Sequence, residues 1–381
     1  MKTILKAKQI YAESGIIENG AVSIEDERIA RLDGTGGGEA LDFGDAMLFP
    51  GLIDIHVHGG GGFDVMDATA EAVCGMARYK ATEGVTAFCP TTVTTSLDKT
   101  KEAIRAVKTA HAINADGARL LGTFCEGPYI NEAYKGAHPP EFIREVNLDE
   151  LANLLEAGDG SIGSFAVAPE KENADKLITF LAARGVQTRI GHSAATYAEA
   201  QKAIALGANI FIHTFNAMSP IGHREVGMAG TALIDDRAFC ELICDFIHVA
   251  PEAARLVYKS KGADKIILIT DAMKAAGLPD GMYKLGELDV VVKDGICRTL
   301  SGALASSTVR MIDAVRNMTT LGIPLEECLC MATANPAKAI GIFKETGSIA
   351  VGKLADFTVV DDDFRILFVM SNGRILIDNR K

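Results

Sequence analysis

His56-Val57-His58 closes a short apolar run, Leu52-Ile53-Asp54-Ile55, and is followed by four glycines, Gly59 to Gly62. On a strand, residues two apart project to the same side, so both imidazoles face one point and Val57 faces away. Neutral nitrogens that converge suit a metal ion, and glycines let a backbone crowd a ligand. With eight histidines in the chain, an isolated pair at this spacing is a weak signal. It strengthens with what ends the other apolar runs. Glu126 follows Thr123-Phe124-Cys125, His192 follows Ile190-Gly191, His213 follows Phe211-Ile212 and Asp271 follows Ile269-Thr270. Any one of these reads as a satisfied polar group at a strand end. Six potential ligands at corresponding places on five strands read as a built metal site.

Such residues converge only if their strands share one end of a sheet. Strand-like runs lie at 52–58, 85–92, 120–126, 164–168, 187–192, 210–215, 240–247 and 265–270. Helix-like patterns at 68–82, 98–112, 147–157, 172–184, 196–206, 251–260 and 304–321 lie between or after most of them. This alternation predicts an α/β fold, a (β/α)8 TIM-type barrel with its site at the carboxyl ends of the strands. No GxGxxG follows the first strand, which counts against an open doubly wound sheet. Near-continuous apolar strands agree with a parallel sheet buried on both faces. Residues 284–299 read as an inserted hairpin. Alternating patterns at 21–24, 29–32, 355–360 and 366–370, with turns at Asn19-Gly20, 34–38 and Asn372-Gly373, predict short strands at both chain ends. They are expected to pair into a small β-sandwich domain, 1–48 with 347–381, leaving 49–346 to the barrel.

The chain of 381 residues is 48% hydrophobic and can bury a large core. A net charge of −12 without a basic run argues against nucleic acid or an anionic membrane as partner. It also requires local positive groups around any anionic substrate. Eight scattered cysteines without a CxxC read as reduced, buried thiols of a cytoplasmic protein. The N-terminus lacks a signal-peptide core, and no stretch approaches a membrane span.

Several longer motifs carry a specific resemblance: PGLIDIHVHG (50–59), EGPYIN (126–131) with KGAH (135–138), GHS (191–193), HTFNAMSP (213–220) with HRE (223–225), DFIHV (245–249), TDAM (270–273), LSGALA (300–305), ATANPAKAIG (332–341) and GSIAVGKLADFTVVD (347–361). Through them the chain resembles the amidohydrolase superfamily nearly end to end, and within it the deacetylases of phosphorylated amino sugars. The resemblance implies that Glu126, His192 and His213 hold the principal divalent metal, zinc or iron. His56 and His58 would complete a second site, so one or two ions are expected. A carboxylate at Glu126, in place of a carboxylated lysine, is similar to the deacetylase branch.

The implied reaction splits acetate from N-acetyl-D-glucosamine 6-phosphate. The galactosamine epimer or another amino-sugar phosphate is the alternative, and a cyclic amidase a more distant one. A non-catalytic scaffold is disfavoured because no ligand is missing. Asp271 is expected to act as general base and then acid, and as a further metal ligand. Arg224 is the expected phosphate cation. The resemblance adds Asn216 and the backbone of Ala217 at the phosphate, and Ala137 and His138 at the sugar. It adds His248 near the ligand, reached from within the chain or across a homodimer interface, and Leu300, Ser301 and Gly302 along the sugar. Val226 departs from the proline often found there. His111 and Cys125 read as structural, Asp64 and Asp67 as helix caps, and His223 as exposed.

Overall fold

The computed structural model describes residues 2–35, 38–113 and 116–380; Gly36 and Gly37 of the expected 34–38 turn lie outside them. Eight parallel strands form the barrel: Leu52–Val57, Val85–Thr92, Thr123–Cys125, Ile162–Val167, Gln187–Ile190, Ile210–Phe211, Phe239–Ile243 and Ile266–Ile269. Neighbours pair in chain order from the first strand to the eighth. The ring is drawn together at the carboxyl ends, where Asp271 N–H donates to His56 O and His58 N–H to Ala272 O, both at 2.9 Å. The third, fifth and sixth strands are shorter than their apolar runs. Glu126, His192 and His213 therefore stand just past the last paired residues, on backbone free to aim them inward.

The strands are apolar on both faces because both faces are covered. Ile53, Ile55, Phe124, Ile210, Ile243, Ile267 and Ile269 fill the interior. Leu52, Val57, Phe88, Phe165, Phe211, Leu242 and Leu268 pack in the cluster that includes the surrounding helices. Strict alternation fails in the first strand. Its register against the second slips between Asp54 and Val57, and an irregularity of this kind re-aims a side chain. Ile55 is interior, and so is His56, whose ring lies edge-on to Phe124 at 5.0 Å.

The chain ends build one mostly antiparallel eight-stranded sheet with its own apolar cluster. Phe357–Val360 pairs with Met47–Pro50 and so joins the two termini. The expected hairpin is a three-stranded sheet, Gly281–Leu285, Leu288–Lys293 and Ile296–Thr299. The expected helix at 304–321 begins only at Met311, because 304–306 turn into the barrel mouth instead. Gly227–Ile234 forms a helix missing from the sequence reading; two glycines within it dilute the helical signal. Asp64 caps Val65–Asp67 in a capping box with Asp67. No helix among the described residues is long and apolar enough to cross a membrane.

A buried ion cluster ties helix Ala70–Thr82 to the first and last strands. Lys80, Asp54 and Glu83 are all inaccessible. Lys80 Nζ lies 3.0 Å from Asp54 Oδ2 and also bonds Glu83. Asp54 Oδ2 accepts from Thr270 Oγ1 at 2.6 Å. Removing the Lys80 ammonium leaves Asp54 and Glu83 buried without their shared cation. Lys80→Ala should therefore destabilise the fold by about 3–5 kcal/mol in urea unfolding; a loss within ~1 kcal/mol would show that the pair carries little of the packing.

Candidate metal centre and active site

Glu126 stands at the centre. Its Oε1 lies 3.2 Å from His192 Nε2, 3.2 Å from His213 Nε2 and 3.4 Å from His56 Nε2. Its Oε2 lies 3.2 Å from His58 Nε2 and 3.5 Å from His138 Nε2. Asp271 Oδ1 is 3.1 Å from His58 Nε2 and 3.4 Å from His56 Nε2. Two ligand groups result, Glu126 with His192 and His213, and His56 with His58 and Asp271; within each, the ligand atoms lie within 4.8 Å of one another. All six side chains are buried.

The far nitrogens fix the tautomers. His56 Nδ1 meets Glu241 Oε2 at 2.9 Å, and His58 Nδ1 meets Thr91 O at 3.2 Å. His192 Nδ1 meets Tyr134 O at 2.8 Å, and His213 Nδ1 meets Asn216 O at 3.2 Å. Each acceptor holds a proton on Nδ1 and leaves the Nε2 lone pair facing the centre, as a metal ligand requires. His138 is the reverse. Its Nδ1 accepts from Thr94 N–H at 3.2 Å and lies 2.8 Å from Thr94 Oγ1; the N–H donor favours the tautomer with the proton on Nε2, which suits a donor to substrate rather than a ligand.

The residues present fit a divalent cation. His56 Nε2 is buried with no hydrogen-bond partner, although nothing about its position is accidental: Glu241 and Phe124 fix its ring. Burial opposes ionisation of Glu126, yet the surrounding histidines, His56 foremost, hold its carboxyl well below the usual range. Asp271 is held at about 2 in the same way, against burial, by His56 and His58. The carboxylates in turn act on the imidazoles. Burial would lower His58, but Asp271 and Glu126 push it up to about 9; His192, where burial dominates, falls to about 4. The site thus demands positive charge, which protons supply when no metal does.

The backbone pays for this convergence. His192, His213, Ala217, Asp271 and Ser306 all have positive φ, at 47°, 28°, 50°, 49° and 55°. Non-glycine residues persist there only where their surroundings over-determine them.

A cavity of about 150 Å³ opens above the ligands. Ala137, His138, Asn216, Ala217 and His248 line it, as expected. His248 does so within its own chain, its Nδ1 held by Asp245 Oδ2 at 2.6 Å. Two groups of expected residues stand apart from this cavity. Leu300, Ser301 and Gly302 do not line the cavity: they form the exposed turn after Ile296–Thr299, with Leu300 68% exposed. Leu304, Ala305 and Ser306 line it instead. The stretch 300–306 contains two similar triplets, Leu300-Ser301-Gly302 and Leu304-Ala305-Ser306, and the fold places the second at this cavity. Arg224 is also absent from the cavity wall and is exposed with His223. The loop that carries them is folded outward on Glu225, which accepts from Tyr197 N–H at 2.9 Å and Gly227 N–H at 3.0 Å.

Arg189 and Glu241 were missed by the sequence reading. Their side chains pair at 2.9 Å beneath the metal ligands, with the Arg189 guanidinium over the Phe124 ring at 4.0 Å. Glu241 thereby holds His56 without leaving a net buried charge. The available signal was a lone charge inside each of two apolar strands, at Thr188-Arg189-Ile190 and Cys240-Glu241-Leu242.

The barrel, the ligands at its carboxyl ends and the sequence agree on one class. The model of the amidohydrolase family matches residues 47–376, and the chain belongs to that family. Within it, the chain is 41% identical over 378 residues to N-acetylglucosamine-6-phosphate deacetylase of Vibrio furnissii, across 98% of this chain and 94% of that one. It is 38% identical to N-acetylgalactosamine-6-phosphate deacetylase of Escherichia coli O157:H7, across 98% and 99%. Among solved structures, a mutant N-acetyl-D-glucosamine-6-phosphate deacetylase from Mycobacterium smegmatis, in complex with N-acetyl-D-glucosamine-6-phosphate, superposes with a TM-score of 0.93. It is 31% identical and covers 99% of each chain.

A pH dependence follows from His58. Its folded-state pKa of about 9 exceeds the ordinary 6.5. Its pairing with Asp271 and Glu126 therefore stabilises the metal-free fold fully below pH 6.5 and is lost as pH rises through about 9. A cation on the same nitrogens replaces the proton. Urea midpoints should fall across this window for chelator-treated protein and stay level for metal-loaded protein; parallel curves would contradict the account.

Proposed function

We propose that this chain is a metal-dependent deacetylase that removes the acetyl group of N-acetyl-D-glucosamine 6-phosphate, giving D-glucosamine 6-phosphate and acetate. The observation that carries the reading is Glu126, a buried carboxylate central to two complete ligand groups beneath a cavity. The similarity to relatives named for this activity supports the substrate. Glu126, His192 and His213 would hold the principal ion and His56, His58 and Asp271 a second, so one or two ions bind per chain. Zinc or iron suits this set of imidazoles and carboxylates. A bound ion supplies Lewis acidity: it makes water a nucleophile near neutral pH and polarises the amide carbonyl.

The chain's own residues do the rest. Asp271, ionised at neutral pH and at the cavity floor, accepts the proton of the attacking water. It then returns that proton to the amine nitrogen as the C–N bond breaks. His138 offers its Nε2–H to a substrate oxygen. Asn216, Ala217 and His248 form the wall to which we assign the phosphate end. Arg224 joins them only through a movement of its loop or from a second chain; a homodimer is the assembly we propose. Eight free thiols support a reducing, cytoplasmic setting.

The 38% identity to a galactosamine-type deacetylase makes N-acetylgalactosamine 6-phosphate the second substrate to weigh. Acetate release from both epimers, with and without the 6-phosphate, decides the substrate. The glucosamine 6-phosphate derivative should be the fastest, and rates on unphosphorylated sugars equal to those on phosphates would overturn the assignment. Asp271→Asn should lower kcat by about 10²–10⁴ with substrate affinity largely kept; near-normal turnover in that variant would remove Asp271 from its role.

A further inference from the structure

The fourth barrel strand, Ile162–Val167, supplies no ligand to either metal group. Three residues beyond it, Glu170 receives three hydrogen bonds. Its Oε1 accepts from Asn131 Nδ2 at 2.9 Å and from Ala194 N–H at 2.6 Å. Its Oε2 accepts from Ser193 Oγ at 2.6 Å. These donors belong to two different loops, the one that follows Glu126 and the one that follows His192.

Each donor is itself part of the site's support. Asn131 N–H donates to His192 O at 2.9 Å. The same loop carries Tyr134, whose carbonyl holds His192 Nδ1 at 2.8 Å, and Ala137 and His138 of the cavity wall. Ser193 N–H donates to Ala217 O at 3.1 Å, and Ser219 N–H to Ser193 O at 3.0 Å. The chain of bonds therefore runs from Glu170 through the His192 loop into the loop that carries His213, Asn216 and Ala217. Along it lie four positive-φ residues, His192, His213, Phe215 and Ala217. A conformation that the backbone disfavours needs an external constraint, and Glu170, from outside these loops, binds two of them at once.

We propose that Glu170 is a positioning residue for the Glu126–His192–His213 group. It acts by pinning the loops after the third and fifth strands to the rigid end of the fourth. This rests on the reading of those three side chains as metal ligands. A carboxylate is well suited because it accepts at both oxygens. Glutamine can keep most of the arrangement, since its oxygen still accepts from Asn131 and Ala194 and its amide can donate to the Ser193 hydroxyl. Alanine keeps none of it.

The test is Co²⁺ titration of metal-stripped, full-length protein, read by visible d–d absorbance and chelator competition. Loss of an outer partner of a metal ligand typically costs about 10–100-fold in metal affinity. Glu170→Ala should lose at least about 10-fold, and Glu170→Gln should recover most of it. Unchanged affinity in Glu170→Ala overturns the proposal. So does equal loss in both variants, which would mean that charge and not geometry is what Glu170 contributes. If Glu170→Ala does not fold, Ser193→Ala decides: weaker Co²⁺ binding by several-fold supports the proposal and parent-like binding overturns it. If the parent itself binds no Co²⁺, the metal reading fails separately. Amide hydrogen exchange at 127–138 and 192–195 then decides for Glu170, with faster exchange in Glu170→Ala and near-parent exchange in Glu170→Gln as support, and unchanged exchange in Glu170→Ala as refutation.

Discussion

An ionised carboxylate placed out of water among neutral groups is costly, and Glu126 is such a carboxylate. Five imidazoles surround it, and four of them point lone pairs, not protons, toward the centre. Oxygen and nitrogen lone pairs within about 3.5 Å repel unless a positive charge lies among them. Either protons or a metal ion must supply it. The rest of the molecule keeps this unfavourable gathering of groups in place.

The eight strands divide that work. The first, third, fifth, sixth and eighth end in the groups that converge. The second, fourth and seventh carry, within them or just beyond, the groups that aim them. Thr91 of the second holds His58 through its carbonyl and the backbone of Val57 through its hydroxyl. Glu241 of the seventh holds His56. Glu170, beyond the fourth, gathers the loops around His192. A parallel barrel permits this arrangement because every strand delivers its carboxyl end to the same rim.

Below the rim, charge is compensated pair by pair. Arg189 answers Glu241, and Lys80 answers Asp54 and Glu83. Much of the interior around them is apolar, so these ions interact in a low-dielectric setting. They act as rigid posts under His56 and Asp271. The cavity walls come from later additions to the barrel: the 126–138 loop, the inserted sheet and the 304–306 segment.

Much of this was legible in the chain alone. Ligand types at the ends of apolar runs identify the barrel, its active rim and the six converging side chains, because burial forces strands to be apolar and makes each terminal polar group conspicuous. The terminal sheet follows from alternation at the two ends. Distances in space were not legible. Arg189 and Glu241 look like interruptions of their strands until folding sets them face to face. Glu170 looks like any loop carboxylate until three donors from other loops reach it. The choice of Leu304-Ala305-Ser306 over Leu300-Ser301-Gly302, and the outward course of the Arg224 loop, depend on where a turn ends, which local patterns do not encode. Residue chemistry set what His56-Val57-His58, Glu126, His192, His213 and Asp271 can do; the folded backbone and the hydrogen bonds it brings within reach, most of them long-range, decided which way each faces.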